Sequence, residues 1–200
     1  MASDDTITDG WLSAIARDSW VAARIDAAAE CAGASVAEVA ALHPDRWSAL
    51  AAWAARLDRA ALAEAGDDRD ASVRDRLFAQ LMARFDAAEP HKATARVLAA
   101  AAPRDPALAA FVAAHGTASL ARLANAAGVD TGGWLGPLRV AALLALLLPV
   151  MRTWLDDGDA DLAATMKALD AALARAEGLA RRGLRGSPAT PASTGDLAAE

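Results

Sequence analysis

This 200-residue chain has no tyrosine, three phenylalanines and one cysteine, and aromatic residues make up only 4% of it. A lone cysteine excludes an intrachain disulfide and fits a reducing compartment. No segment combines period-two alternation with the Val, Ile, Thr and aromatic enrichment of a strand, so no β-sheet is expected. The longest apolar run, residues 140–151, has about 12 residues where a bilayer-spanning helix needs roughly 20, which predicts a buried helix. The opening MASDDTITDG is acidic and reads as neither a secretory signal nor an Arg-rich transit peptide, so the cytoplasm is the expected location. The three histidines, His43, His91 and His115, lie far apart with no Cys or His partner at metal-ligand spacing. No metal, cofactor or catalytic pair is expected, and the chain is read as a non-enzyme.

Positive charge is missing where it would matter most. The net charge is −6. Residues 1–70 hold six arginines against thirteen acidic residues, a net of −7, and the remainder is close to neutral at +1. Phosphate contact dominates protein–DNA affinity, and an N-terminal segment at −7 is repelled by it.

What is present is helix-forming material. The composition is 55% hydrophobic, mostly Ala and Leu. Start and stop signals predict an all-α chain of about nine helices. Thr8 or Asp9 caps a first helix over 10–18, and a second over 22–32 ends at Gly33. Ser35 with Glu38 forms a capping box for a third, which closes at His43-Pro44. A fourth helix, capped by Asp45, carries Trp47, Leu50, Trp53 and Leu57 on one stripe to about residue 65. After the break GDDRD, Ser72 and Asp75 open a fifth helix to 88, and Pro90 opens a sixth. Asp105-Pro106 starts a seventh, with an interruption expected at Gly116. Pro137 opens an eighth that contains Pro149, and Asp159 or Asp161 caps a ninth to about 182. Three domains follow: 1–65, a degenerate helix-turn-helix module with its connecting helix; 66–182, a helical ligand-binding and dimerisation body; and 183–200, a Gly, Ser, Pro and Thr-rich tail expected to be disordered.

Residues 24–46, RIDAAAECAGASVAEVAALHPDR, have the layout of a helix-turn-helix. AECAGAS at 29–35 resembles the helix-turn-helix core of the TetR family of one-component regulators, and HPDRWSALAAW at 43–53 resembles the lead into that family's fourth helix. Residues 136–177 resemble the last two helices of a bacterial branch of that fold, which usually form a four-helix homodimer interface. VRDRLFAQLMARFDAAEPHKA at 73–93 resembles the coenzyme Q biosynthesis accessory proteins, which share the fold, bind lipid and assist a ubiquinone-pathway hydroxylase. These likenesses imply a TetR-like fold with an N-terminal reading head, a ligand cavity and a dimer seam.

Three departures bear on function, one of them His43 where an aromatic residue is expected. Where the regulators carry Lys or Arg after the capping Ser this chain has Val36, and Val39-Ala40 stands where a Tyr is usual. If DNA were bound, Ser35, Ala37, Glu38 and His43 would face the groove and Arg24 and Arg46 would meet phosphates, a poor set for base and backbone contacts. DNA is therefore an unfavoured partner, and the leading expectation is a homodimer that binds an apolar small molecule or lipid. The alternative is a repressor released from its operator by a hydrophobic ligand.

The candidate ligand-binding residues are Phe78, Met82, Phe85, Phe111 and Trp134. The candidate dimer stripes are Leu143, Leu147, Val150 and Trp154 on the eighth helix and Leu162, Met166, Leu169 and Leu173 on the ninth. His91 could face the cavity, and Cys31 reads as a small core residue. Asp157-Gly158-Asp159-Ala160-Asp161 fails as an EF-hand, because positions six and twelve are Leu162 and Ala168. Arg181, Arg182 and Arg185 offer a weak membrane-surface contact, and the inverted charge of the head leaves room there for a protein partner.

Overall fold

The structure, a computed structural model, describes residues 2–63 and 70–185. Among the described residues there are nine α-helices and no strand: α1 (Asp4–Asp18), α2 (Ile25–Ala32), α3 (Val36–Leu42), α4 (Arg46–Ala63), α5 (Val73–Ala88), α6 (Lys92–Ala101), α7 (Pro106–Ala126), α8 (Gly136–Asp156) and α9 (Ala163–Arg185). Short 3-10 turns at Glu89–His91 and Ala102–Arg104 flank α6. The 65/66 boundary and most of the C-terminal tail lie outside the described residues, as do the side chains of Arg182 and Arg185.

Capping chemistry sets the helix starts. α1 begins six residues earlier than its sequence signals suggest, because Ser3 accepts the Thr6 N–H and Asp4 and Asp5 sit favourably in the first turn. Gly33 adopts the left-handed conformation (φ 61°) that ends α2, and Ser35 and Glu38 form the reciprocal capping box of α3. Asp105 accepts from the Ala107 and Leu108 amides at the start of α7, which runs unbroken through Gly116. The ninth helix differs from expectation. Its cap is the buried carboxylate of Asp157, reached across the loop by Thr165 N–H (2.9 Å) and Thr165 Oγ1 (2.8 Å), rather than Asp159 or Asp161.

α1–α3 form a small head around Ile7, Trp11, Leu12 and Ile15 of α1, with Ala28 of α2 and Val39 of α3. α4 leaves the head and packs against α1, α5 and α7, so it belongs to both halves. The body is α5–α9, with α8 packed on α9 and α7 on α8. The apolar run at 140–151 sits within the 21-residue α8, and both α7 and α8 are long and apolar enough to cross a membrane, with mean hydropathy 1.3 and 1.7. Only 28% of each apolar window is buried; α8 turns Val140, Leu147, Val150 and Trp154 inward and leaves its other face exposed.

α1 and α2 approach so closely that a β-carbon on Gly10 would lie 2.6 Å from the Ala28 carbonyl oxygen and 2.6 Å from the Ala32 β-carbon. Glycine in mid-helix is unfavourable by itself, and this contact explains its presence. Gly10→Ala is expected to destabilise the fold by about 1–3 kcal/mol through overpacking, measured as a lower urea midpoint with an unchanged slope. Gly116→Ala, where a β-carbon meets open space, should not destabilise it.

Candidate functional site

α4 to α8 line a partly open cavity of about 260 Å³. Leu50, Trp53 and Leu57 contribute from α4, Leu81, Arg84 and Phe85 from α5, and Leu98 from α6. Phe111, His115 and Ser119 come from α7, with Leu147, Met151 and Trp154 from α8. Alanines at 54, 88, 95, 99 and 102 fill the intervening positions without filling the space. A larger depression of about 540 Å³ beside Ala113, Thr117 and Pro137 is open to solvent and holds no charged side chain on its walls.

The cavity draws on the expected helices but not on all of the expected residues. Phe85 and Phe111 line it. Phe78 and Met82 are half-buried against the core and do not line it. The inner face of α5 is Leu77, Gln80, Leu81, Phe85 and Ala88, and Phe78 and Met82 are turned one helical step away. Trp134 is 87% exposed on the α7–α8 loop and takes no part. Sequence reasoning missed Trp53, Arg84, His115, Ser119 and Met151. The α5 stripe phase would have identified Arg84, one turn from Gln80 and Leu81.

One end of the cavity is polar. Asp58 of α4, only 4% exposed, accepts a hydrogen bond from Arg84 Nη1 (2.7 Å) and one from Ser119 Oγ, and Arg122 donates to its second oxygen through Nε (3.2 Å) and Nη2. Burial pushes the Arg84 guanidinium below its ordinary range, against the opposing pull of Asp58. It stays charged, as guanidinium does in proteins. His115 stacks on Phe111 (3.9 Å between centroids), and because Phe111 O can only accept, Nδ1 of His115 donates to it (3.0 Å). Trp53 Nε1 and both polar atoms of the Gln80 amide are buried with no hydrogen-bond partner among the described residues.

His91 is placed elsewhere than expected. It sits at the junction of head and body, its Nε2 3.0 Å from Asp9 and 3.1 Å from Arg56, with burial the main cause lowering its pKa. Cys31 is exposed on α2 rather than packed in the core, since α2 buries Ala28 and Ala29. Among the described residues no cluster of three or more His, Cys, Asp or Glu could hold a metal ion.

The head presents an apolar face where a reading helix would be. α3 buries Val39, while Val36, Ala37, Ala40, Ala41 and Leu42 are exposed. Ser35 and Glu38 are joined to each other (Ser35 Oγ to Glu38 Oε2, 2.8 Å). His43 is 6% exposed and faces α1, with Nε2 2.9 Å from Thr8 Oγ1 and 3.2 Å from Asp4, so it does not point toward a groove. Arg46 donates to the carbonyls of Trp20 (2.9 Å) and Val21 (3.3 Å) and lies 4.3 Å from the Trp20 ring centre, which ties up the guanidinium expected to meet phosphate. Arg24 is exposed, 3.8 Å from Asp26.

The expected dimer stripes need correction. Leu147, Trp154, Leu162, Leu169 and Leu173 are all buried within the single chain, and Leu143 is half-buried, because these faces form the α8–α9 packing and the cavity wall. Met166 is exposed. The outward stripe of α8 is instead Leu138, Ala141, Ala142, Ala145 and Leu148, spaced at i, i+3, i+4, i+7 and i+10.

No protein-family model matches this chain, and no curated protein does. Solved structures do. A TetR transcriptional regulator from Nitrosomonas europaea superposes with a TM-score of 0.72 at 19% identity, over 88% of this chain and 98% of that one. A TetR-family regulator from Rhodococcus sp. gives 0.60 at 22% identity over 84% and 95%, and one from Mesorhizobium loti gives 0.59 at 16% over 88% and 95%. The fold is therefore the TetR-family fold.

Asp58→Asn removes the charge that balances Arg84 and Arg122. Breaking a buried ion pair on one side costs roughly 3–5 kcal/mol, and the half-exposed position of Arg122 places the expected loss near the lower end. Thermal or urea unfolding checks it.

Proposed function

We propose that this protein is a non-enzymatic, cytoplasmic homodimer of TetR-like fold whose body binds a small apolar ligand and whose head does not use operator DNA. The observation that carries the ligand reading is the cavity between α4 and α8, apolar on most of its wall with a few polar groups at one end. That is the usual make-up of a small-molecule site. Its volume of about 260 Å³ suits a compact molecule better than a full-length isoprenoid lipid, so the coenzyme Q accessory role is the less favoured version of this reading. The DNA reading is weakened by the apolar surface of α3 and by the commitment of Arg46 to backbone carbonyls.

A second reading, ligand-released repressor, is favoured by the intact helix-turn-helix geometry and by the neighbours, which are named transcriptional regulators. Fluorescence anisotropy with DNA from upstream of the protein's own coding sequence separates the two. Loss of operator use predicts no complex tighter than about micromolar at physiological salt and only salt-sensitive, sequence-independent binding below it. Sequence-specific nanomolar binding at physiological salt would establish the repressor.

The homodimer is tested on the outward stripe of α8. Leu148→Arg places a charge on that face and should convert the dimer to monomer by size-exclusion chromatography with light scattering, while the fold survives by circular dichroism. A dimer that persists in this variant would move the interface elsewhere.

A further inference from the structure

The polar end of the cavity has a charge sign. Arg84 reaches it with a guanidinium of five N–H donors, of which Nη1 alone is engaged, with Asp58. None of the described residues lining the cavity is acidic. Asp58 has partners besides Arg84. Its second oxygen takes Nε and Nη2 of Arg122 together, and Ser119 shares the first. Arg84 is thus free to serve a ligand without leaving a buried carboxylate unpaired. The cluster of Asp58, Arg84 and Arg122 carries one negative and two positive charges. The indole N–H of Trp53, also on the cavity wall, has no acceptor among the described residues.

We propose that the cavity takes a small apolar carboxylate, with its head group on the Arg84 guanidinium and its hydrocarbon body against the Leu, Phe and Trp walls. This rests on the cavity being a ligand site. A monoanion neutralises the surplus charge of the cluster, and a carboxylate matches the planar fork of guanidinium with two parallel hydrogen bonds. A phosphate monoester brings nearly two negative charges at neutral pH and overshoots the balance. A cationic ligand meets Arg84 with no acid on the wall to receive it, and a neutral one that covers the guanidinium leaves its donors without a matching acceptor. Burial disfavours the charged form of Arg84, and Arg122 adds to that, while Asp58 opposes it.

The test uses three probes with one tail (octanoate, octanol and octylammonium) titrated into the full-length protein by calorimetry at neutral pH, with the fluorescence of the wall residues Trp53 and Trp154 as a second readout. The expected result is octanoate binding about tenfold tighter than octanol and octylammonium weakest. In Arg84→Gln the preference for octanoate over octanol should collapse while octanol binding stays. Arg84→Lys, which keeps the charge without the fork, should retain part of the preference and serves if the glutamine variant does not fold. Octanol binding as tightly as octanoate in the unaltered protein overturns the proposal but leaves the cavity a ligand site. An octanoate preference that persists in Arg84→Gln overturns the assignment of the head group. No binding of any probe overturns the ligand reading of the cavity and the proposal with it.

Discussion

A buried carboxylate on α4 organises this molecule. Asp58 would be costly in an apolar interior on its own, several kcal/mol even after relaxation. It is stable there because Arg84 of α5 and Ser119 and Arg122 of α7 converge on it. The same contacts fix α4 against the two helices that form much of the cavity wall. α4 also carries the head, so one charge cluster sets where the head sits relative to the cavity.

The rest of the seam between head and body follows that placement. Trp20, just after α1, packs edge-on against Trp47 of α4 (4.7 Å), and Trp47 packs against Phe111 of α7 (5.2 Å), which lines the cavity. Trp20 Nε1 donates to Asp105 (2.8 Å), whose carboxyl is held below the usual range by the Leu108 amide first and Trp20 second. Thr94 Oγ1 donates to the Leu12 carbonyl (2.8 Å), and Arg56 of α4 reaches Asp9 of α1 (2.6 Å). A continuous line of aromatic rings therefore runs from the cavity to the base of the head. Arg46 covers its outer end, over Trp20. The residue that phosphate binding would call upon is holding this seam instead.

Small side chains account for much of the remaining architecture. Gly10 lets α1 and α2 touch, and alanines on α4, α5 and α6 leave volume that larger residues would have filled. Such an interior relies on a few large anchors, and Trp53 and Trp154 are two of them.

The sequence by itself determined the all-helical class, the helix-turn-helix, and the starts of α3, α5 and α7, because capping and turn signals act within a few residues of chain: Ser35 with Glu38, Gly33, Ser72 and Asp105-Pro106. It also showed the deficit of positive charge in the head. Tertiary structure alone decided which face of each amphipathic helix turned inward and what it met there. Leu147, Leu162 and Leu169 read equally well as a dimer seam or a protomer core, since apolar periodicity identifies a stripe but not its neighbour. In the DNA-binding reading His43 faced the groove and Arg46 met phosphate, until Thr8 and the Trp20 carbonyl claimed them. Asp58 and Arg84 lie 26 residues apart in sequence. Their pairing depends on α4 and α5 packing side by side, and a contact of that range leaves no trace in local pattern.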